Sequence, residues 1–177
     1  MNSKNMSLEL KQCLGIIAHD SDGDGNNPKT LYRAYQLLMK ENYGFLPAQR
    51  MLERAAALGY EPACIDLAML YCNGRYLDED CMPVHDEKKM VEWLQRAASH
   101  RDPQACLLLA HCYCTGTGCQ KDESTAYRYI NMIGKETLKK FFNHEIDWDK
   151  RFNLNEINII PIQILYLQTL LRGSTKR

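Results

Sequence analysis

The chain has 177 residues, and its 22 Lys+Arg balance 22 Asp+Glu, so the formal net charge is zero. The length suits one ordinary domain with a real core, and 45% hydrophobic with 25% charged residues excludes disordered and collagen-like classes. Zero net charge provides no global field to draw in nucleic acid, and 10 Gly with 6 Pro are few for a loop-rich or all-β chain.

The opening stretch MNSKNMSLELKQCLGIIAHD has no uninterrupted apolar core, because Glu9, Lys11 and Gln12 break it. No small-residue cleavage site follows, so no export signal is expected there. It reads as a short N-terminal helix, followed by a Gly/Asp/Asn loop over Ser21–Asn27. Within this region Asp20-x-Asp22-x-Asp24-Gly25 resembles the start of a calcium loop, with oxygen ligands at alternate positions and Gly at the bend. Leu31 falls where a bidentate Glu should close the shell, so a flexible acidic loop is the better reading. Asp20, Asp22 and Asp24 stay as weak metal candidates.

Thr30–Lys40 places Leu31, Ala34, Tyr35, Leu37 and Leu38 at helical spacing and reads as a degenerate half-repeat. The next stretch repeats. When Ala48–Gly74 is moved forward by 42 residues, Leu52 meets Leu94 and Arg54 meets Arg96. In the same frame Ala55-Ala56 meets Ala97-Ala98, Ala63-Cys64 meets Ala105-Cys106, and Leu67-Ala68 meets Leu109-Ala110. Tyr71-Cys72 and Gly74 meet Tyr113-Cys114 and Gly116. Beyond this frame Asp86 pairs with Asp122, and Trp93 with Tyr129, at the shorter offset of 36, so the first copy carries about six extra residues near Leu77–His85.

Each copy holds two helical patterns. The first kind carries an apolar stripe, such as Met51, Leu52, Ala55 and Ala56. The second kind ends at Asn73-Gly74 or Thr115-Gly116, residues suited to a helix C-cap. Pro62 and Pro103 suit a first helical turn, and Asp86 and Asp122 suit an N-cap. Paired alanines let helix backbones approach, and Tyr71 and Tyr113 are placed to wedge between successive hairpins. Glu136–Phe142 and Asn155–Leu171 read as C-terminal capping helices, the latter containing Pro161.

The pattern Trp93-x3-Ala97-Ala98, Ala105-x3-Leu109-x3-Tyr113, Gly116-x-Gly118-x3-Asp122-x3-Ala126 resembles the Sel-one-like repeat, a relative of tetratricopeptide repeats. The resemblance covers roughly Ala48–Gly134. It departs in the first copy, where Met51 stands at the aromatic position and Tyr76 at the second Gly, so that loop is expected to take its own conformation. The fold expected is all-α: a right-handed α/α solenoid with flanking and capping helices. Residues 1–27 are the N-terminal helix and loop, 28–134 the repeat array and 135–177 the capping helices. Clear repeats span 48–85 and 86–121, with a partial third at 122–134.

Four of the eight cysteines, Cys64, Cys72, Cys106 and Cys114, fit this register. Cys64 and Cys72, and likewise Cys106 and Cys114, sit eight apart on one helix face, about 12 Å and too far for a disulfide. Some exported members of the family staple each hairpin with two cysteines. Cys64 and Cys106 match the second position, but Ala56 and Ala98 occupy the first, so the resemblance implies no staple and supports a cytoplasmic protein. Cys81 and Cys119 fall in loops. The group Cys106, His111, Cys112, Cys114 and Cys119, with His100 nearby, lacks a CxxC pair and reads as packing.

No G-x-S-x-G, H-E-x-x-H, P-loop or G-x-G-x-x-G occurs, so neither an enzyme nor a cofactor is expected. No stretch has the roughly 18 apolar residues that span a membrane. The resemblance implies an interaction module, mostly bacterial, with adaptor, scaffold, signalling, effector or toxin-neutralising roles. Its first helices would line a concave face binding a protein or peptide, with no nucleic acid and no membrane insertion. The positions left for that face are Gln49, Arg50, Glu53 and Arg54, their counterparts Val91, Glu92, Gln95 and Arg96, and Tyr127, Arg128 and Asn131 in the third copy. The alternative is a metal- or redox-responsive module using Asp20, Asp22 and Asp24 or the loop cysteines.

Overall fold

The computed structural model describes residues 7–18 and 27–142. The chain divides into two compact units, Met1–Asp86 and Glu87–Arg177. The first unit holds α1 (Leu8–Ala18), α2 (Pro28–Lys40), α3 (Phe45–Ala57), α4 (Glu61–Cys72) and the short strands β1 (Tyr76–Leu77) and β2 (Pro83–Val84). The second holds α5 (Glu87–Ala98), α6 (Pro103–Thr115), α7 (Glu123–Ile133) and α8 (Lys135–Phe142).

In the first unit each helix packs on the next. Asn27 caps α2, its side-chain oxygen accepting from Lys29 N–H at 3.0 Å and Thr30 N–H at 3.4 Å, and Pro28 fills the first turn. The helix therefore starts two residues before the Thr30 read from periodicity, because a cap leaves no apolar signature. Leu10 of α1 joins Leu37, Leu38 and Ala48 in a cluster against which Cys13, Tyr35, Tyr43 and Met51 pack. Met51 is thus a half-buried member of the N-terminal cluster, while Leu52, Ala55 and Ala56 are fully buried. α4 is buried without a break from Ala63 to Ala68, as a helix enclosed on most sides must be. Its one buried acid, Asp66, 8% exposed, accepts a 2.8 Å hydrogen bond from the Tyr32 hydroxyl of α2. A buried carboxylate without donors is costly, and Tyr32 supplies one of them.

The second unit follows the same logic. α6 packs against both α5 and α7, with Leu94, Ala97 and Ala98 of α5 and Ala126 and Ile130 of α7 buried. Asp102 caps α6 through Ala105 N–H at 2.8 Å, Pro103 opens the helix, and Gly116 closes it in the left-handed conformation at φ 85 and ψ 18. Asp122 caps α7, accepting from Ser124 N–H, Thr125 N–H and the Thr125 hydroxyl at 2.9, 3.2 and 2.6 Å. Tyr113 stacks on Tyr129 at 5.8 Å and 18°, which places it as a wedge between α6 and α7. The equivalent Tyr71 stacks on Tyr76 of β1, at 4.1 Å and 19°.

The repeat register reappears in the backbone. Asp86 N–H donates to the Tyr71 carbonyl at 3.3 Å, and Asp122 N–H to the Tyr113 carbonyl at 2.9 Å. Between these shared anchors the second copy turns through Gly116 and Gly118. The first copy instead forms a small antiparallel pairing, Tyr76 with Val84 and Leu77 with Pro83. Its extra residues are that pairing and its tip. Gly118, at φ 68, lies so close to Glu87 that an added Cβ would meet the Glu87 carbonyl oxygen at 2.1 Å. Tyr76 could not occupy such a turn, so the first loop has to leave the helix end differently.

Candidate functional site

Two helices of the first kind, α5 and α7, border a groove of about 290 Å³ in the second unit. Gln95, Ala98 and Ser99 line one wall; Thr125, Arg128, Tyr129 and Met132 line the other. On each wall the residues recur at the i, i+3, i+4 spacing that puts side chains on one helix face. Two of them are held by the half-buried Tyr113 of α6. The Gln95 amide donates to the Tyr113 hydroxyl at 3.0 Å, and the Tyr129 ring is stacked on Tyr113. Burial pushes the Tyr129 hydroxyl above its usual pKa, with the neighbouring Tyr113 adding to the shift, so at neutral pH it offers a neutral O–H. Met132 is 42% exposed and gives its wall an apolar side chain. Next to the groove, the Arg96 guanidinium lies 4.7 Å from the centre of the Trp93 ring, a cation–π contact along α5.

Of the positions read as partner-facing, Gln95 and Arg128 line this groove. Glu92, Arg96 and Asn131 are exposed beside it and Tyr127 is half-buried. In the first unit Arg50 and Arg54 are exposed on α3, while Glu53 is half-buried and accepts from the Gln49 amide at 3.0 Å.

Two positions need correcting. Gln49 and Val91, read as solvent-facing, are each only 4% exposed. Val91 packs into the core of α5. Gln49 turns its amide onto β1: Nε2 donates to the Leu77 carbonyl at 2.7 Å, and Leu77 N–H donates to Oε1 at 2.9 Å. The polar name of Gln49 hid a burial that its apolar counterpart Val91, 42 residues on, already signalled. Ala98, Ser99, Thr125, Tyr129 and Met132 were not singled out for the groove. Their signal was the helical spacing of the two walls, which runs one stripe over from Tyr127 and Asn131.

The titratable and ligating residues are dispersed. Asp20, Asp22 and Asp24 lie outside the described residues. Among the described residues no group of three or more His, Cys, Asp or Glu is arranged to hold a metal ion. All eight cysteines are free thiols. Cys64, Cys106, Cys112 and Cys114 are buried, Cys72 and Cys119 half-buried, and Cys81 exposed. Burial pushes the thiols of Cys106 and Cys114 up to about 11, and raises that of Cys119 as well. They therefore stay protonated and behave as small apolar side chains. No helix among the described residues is long and apolar enough to cross a membrane.

Helix hairpins in a sequence repeat, small residues at the helix contacts and an exposed groove between first helices define the class: an α/α repeat protein with the solenoid type of fold. The family model of the Sel1 repeat matches residues 46–60, 61–102 and 103–132, so these three stretches read as Sel1 repeats. The chain is similar to the crystal structure of a Sel1 repeat protein from Oxalobacter formigenes at 23% identity and a TM-score of 0.61, covering 76% of this chain and 98% of that one. It is also similar, at 22% identity and a TM-score of 0.59, to a protective antigen with an SLR fold present in uropathogenic Escherichia coli strains. That match covers 73% of this chain but only 26% of the antigen. No curated protein matches the chain significantly.

Proposed function

We propose that the chain is a non-catalytic protein-interaction module, an adaptor or scaffold that binds a protein or extended peptide on the exposed face of its first helices. The observation that carries this reading is the α5–α7 groove, whose walls mix an exposed methionine, a guanidinium and hydroxyls. Sel1 repeats are in general protein–protein interaction modules, and the match to them supports the same reading. In the second unit Gln95 and Arg128 would contact the partner, with Glu92, Arg96, Tyr127 and Asn131 at the rim; in the first unit Arg50, Glu53 and Arg54 of α3 would serve. The groove side chains Gln95 and Tyr129, already tied to Tyr113, have a partner without a ligand, which lowers the ordering cost of binding.

A bacterial source and a cytoplasmic location belong to the same reading. Both solved relatives are bacterial, and buried thiols facing alanine rather than a second cysteine suit a reducing compartment. Photo-crosslinking tests the assignment. A photoreactive amino acid at Gln95 or Met132 should trap a defined protein partner in the source cell, whereas the same group at exposed Arg75 should not. Equal trapping at all three positions would remove the groove from the reading.

A further inference from the structure

The groove has a polarity of its own. Its seven lining residues carry one formal charge, the guanidinium of Arg128, and no carboxylate lines the walls. The acid closest in character, Asp122 at the start of α7, is occupied by three donors from Ser124 and Thr125. Arg128 is the weakest of the influences on that carboxyl. Among the described residues Arg128 makes no ion pair. Of the wall hydroxyls, Ser99 donates to the Arg96 carbonyl and Thr125 to Asp122, which leaves Tyr129 as the donor, and Ala98 and Met132 give the apolar part of the surface.

A guanidinium in walls that hold no carboxylate, with the Tyr129 hydroxyl as a neutral donor in the same groove, matches an anionic group with a planar, two-oxygen face. The adjoining methionine and alanine match an aliphatic or aromatic side chain. We propose that this groove takes an extended peptide segment of a partner protein that presents an Asp or Glu carboxylate beside an apolar side chain. The carboxylate pairs with Arg128, the Tyr129 hydroxyl donates to it, and the apolar neighbour lies over Ala98 and Met132. A lysine-bearing segment would meet the guanidinium with like charge, so one residue sets both affinity and selectivity. Because the whole chain has zero net charge, this preference comes from the local site and not from long-range steering.

The inference rests on the interaction-module reading, and one experiment separates the two. The full chain is used to select from a random dodecapeptide library displayed on phage. The expected outcome is a set enriched in Asp or Glu next to Leu, Met or aromatic residues. A fluorescein-labelled synthetic representative should bind the wild-type chain, lose roughly tenfold or more with Arg128→Ala, and be indifferent to Arg75→Glu. Arg128→Glu should turn the selected set toward Lys and Arg. Peptides lacking acids, or binding unchanged in a folded Arg128→Ala protein, overturn the carboxylate assignment while leaving an interaction module in place. Selection of no peptide overturns the proposal. If sedimentation then shows that Arg128→Glu dissociates a self-associated wild type, the occupant is a second copy of this chain. If self-association is also absent and the crosslinks at Gln95 and Met132 fail, the module reading falls with it.

Discussion

Gln49 on α3 holds Leu77 on β1 by both of its backbone groups, the side-chain amide donating to the carbonyl at 2.7 Å and accepting from the N–H at 2.9 Å. One carboxamide thus does what a neighbouring strand would do, and it closes the free edge of a two-residue strand. The same amide nitrogen also reaches Glu53 at 3.0 Å, so the clamp is fastened within its own helix. Gln49→Leu keeps the volume and removes both bonds. About 2–3 kcal/mol should be lost in urea denaturation, given about 1 kcal/mol per bond and the desolvated groups left behind. Limited proteolysis should move to residues 78–84. Unchanged stability would show that water replaces the amide at no cost.

Gly118 and Gly59 both have positive φ, 68 and 82, but only Gly118 is crowded. Gly118→Ala should cost clearly more than the roughly 1 kcal/mol of a left-handed alanine, because its Cβ would strike the Glu87 carbonyl at 2.1 Å. Gly59→Ala should cost only that conformational amount, since nothing lies within 4 Å. Equal losses for the two variants in chemical denaturation would remove the steric explanation. At the repeat-equivalent position of Gly59 stands Arg101, at φ 61, and Arg101→Gly should stabilise by up to about 1 kcal/mol.

The Cys64 thiol lies 3.5 Å from the Ala56 carbonyl, eight residues back and across the hairpin turn. A thiol introduced by Ala56→Cys should therefore bond to Cys64 on oxidation. Closing so short a loop is worth about 2–3 kcal/mol. The measurement is the difference in denaturation midpoint between oxidised and reduced Ala56→Cys protein. A variant that stays reduced under oxidant, or loses stability on oxidation, refutes the geometry.

Hydrogen bonds, first that from the Thr125 hydroxyl, hold the Asp122 carboxyl below its usual pKa. A carboxyl with a lowered folded-state pKa binds fewer protons when folded than when unfolded. Its contribution is complete above the unfolded value near about 4 and is lost as pH falls through the folded value. In Asp122→Asn, which keeps an acceptor but not the charge, the decline of Tm below about pH 4 should be shallower than in wild type. Parallel profiles would mean that other acids dominate.

Thiol reactivity should follow burial. Cys81 is exposed at the loop tip, whereas Cys106 and Cys114 are buried with thiols pushed to about 11. At pH 8 iodoacetamide should label Cys81 within minutes and leave Cys106 and Cys114 unmodified until denaturant is added. Peptide mass spectrometry reads this directly, and early labelling of Cys106 would contradict its burial.

Much of the fold was legible because a repeat writes its packing twice. Leu52 and Leu94, Ala55-Ala56 and Ala97-Ala98, and Cys64 and Cys106 are buried pairs that self-comparison had already matched. Caps were equally legible at Asp102, Asp122 and Gly116, where a local hydrogen bond or a positive φ requires a particular residue type. The site was less so. Polarity alone placed Gln49 outside, although an amide buries well when a backbone edge accepts and donates to it. Helical periodicity also could not tell which of two adjacent stripes on α7 borders the groove.

The amino-acid sequence by itself determined the helix hairpin, its period, its alanine contacts and the place of the extra loop residues, because each depends on neighbours within about ten positions or on a copied pattern. Only the tertiary structure decided what the loop became, a short β pairing held by Gln49, and which side chains form the walls facing Arg128. Those outcomes depend on groups from different helices meeting in space. A single-chain pattern carries no record of that distance.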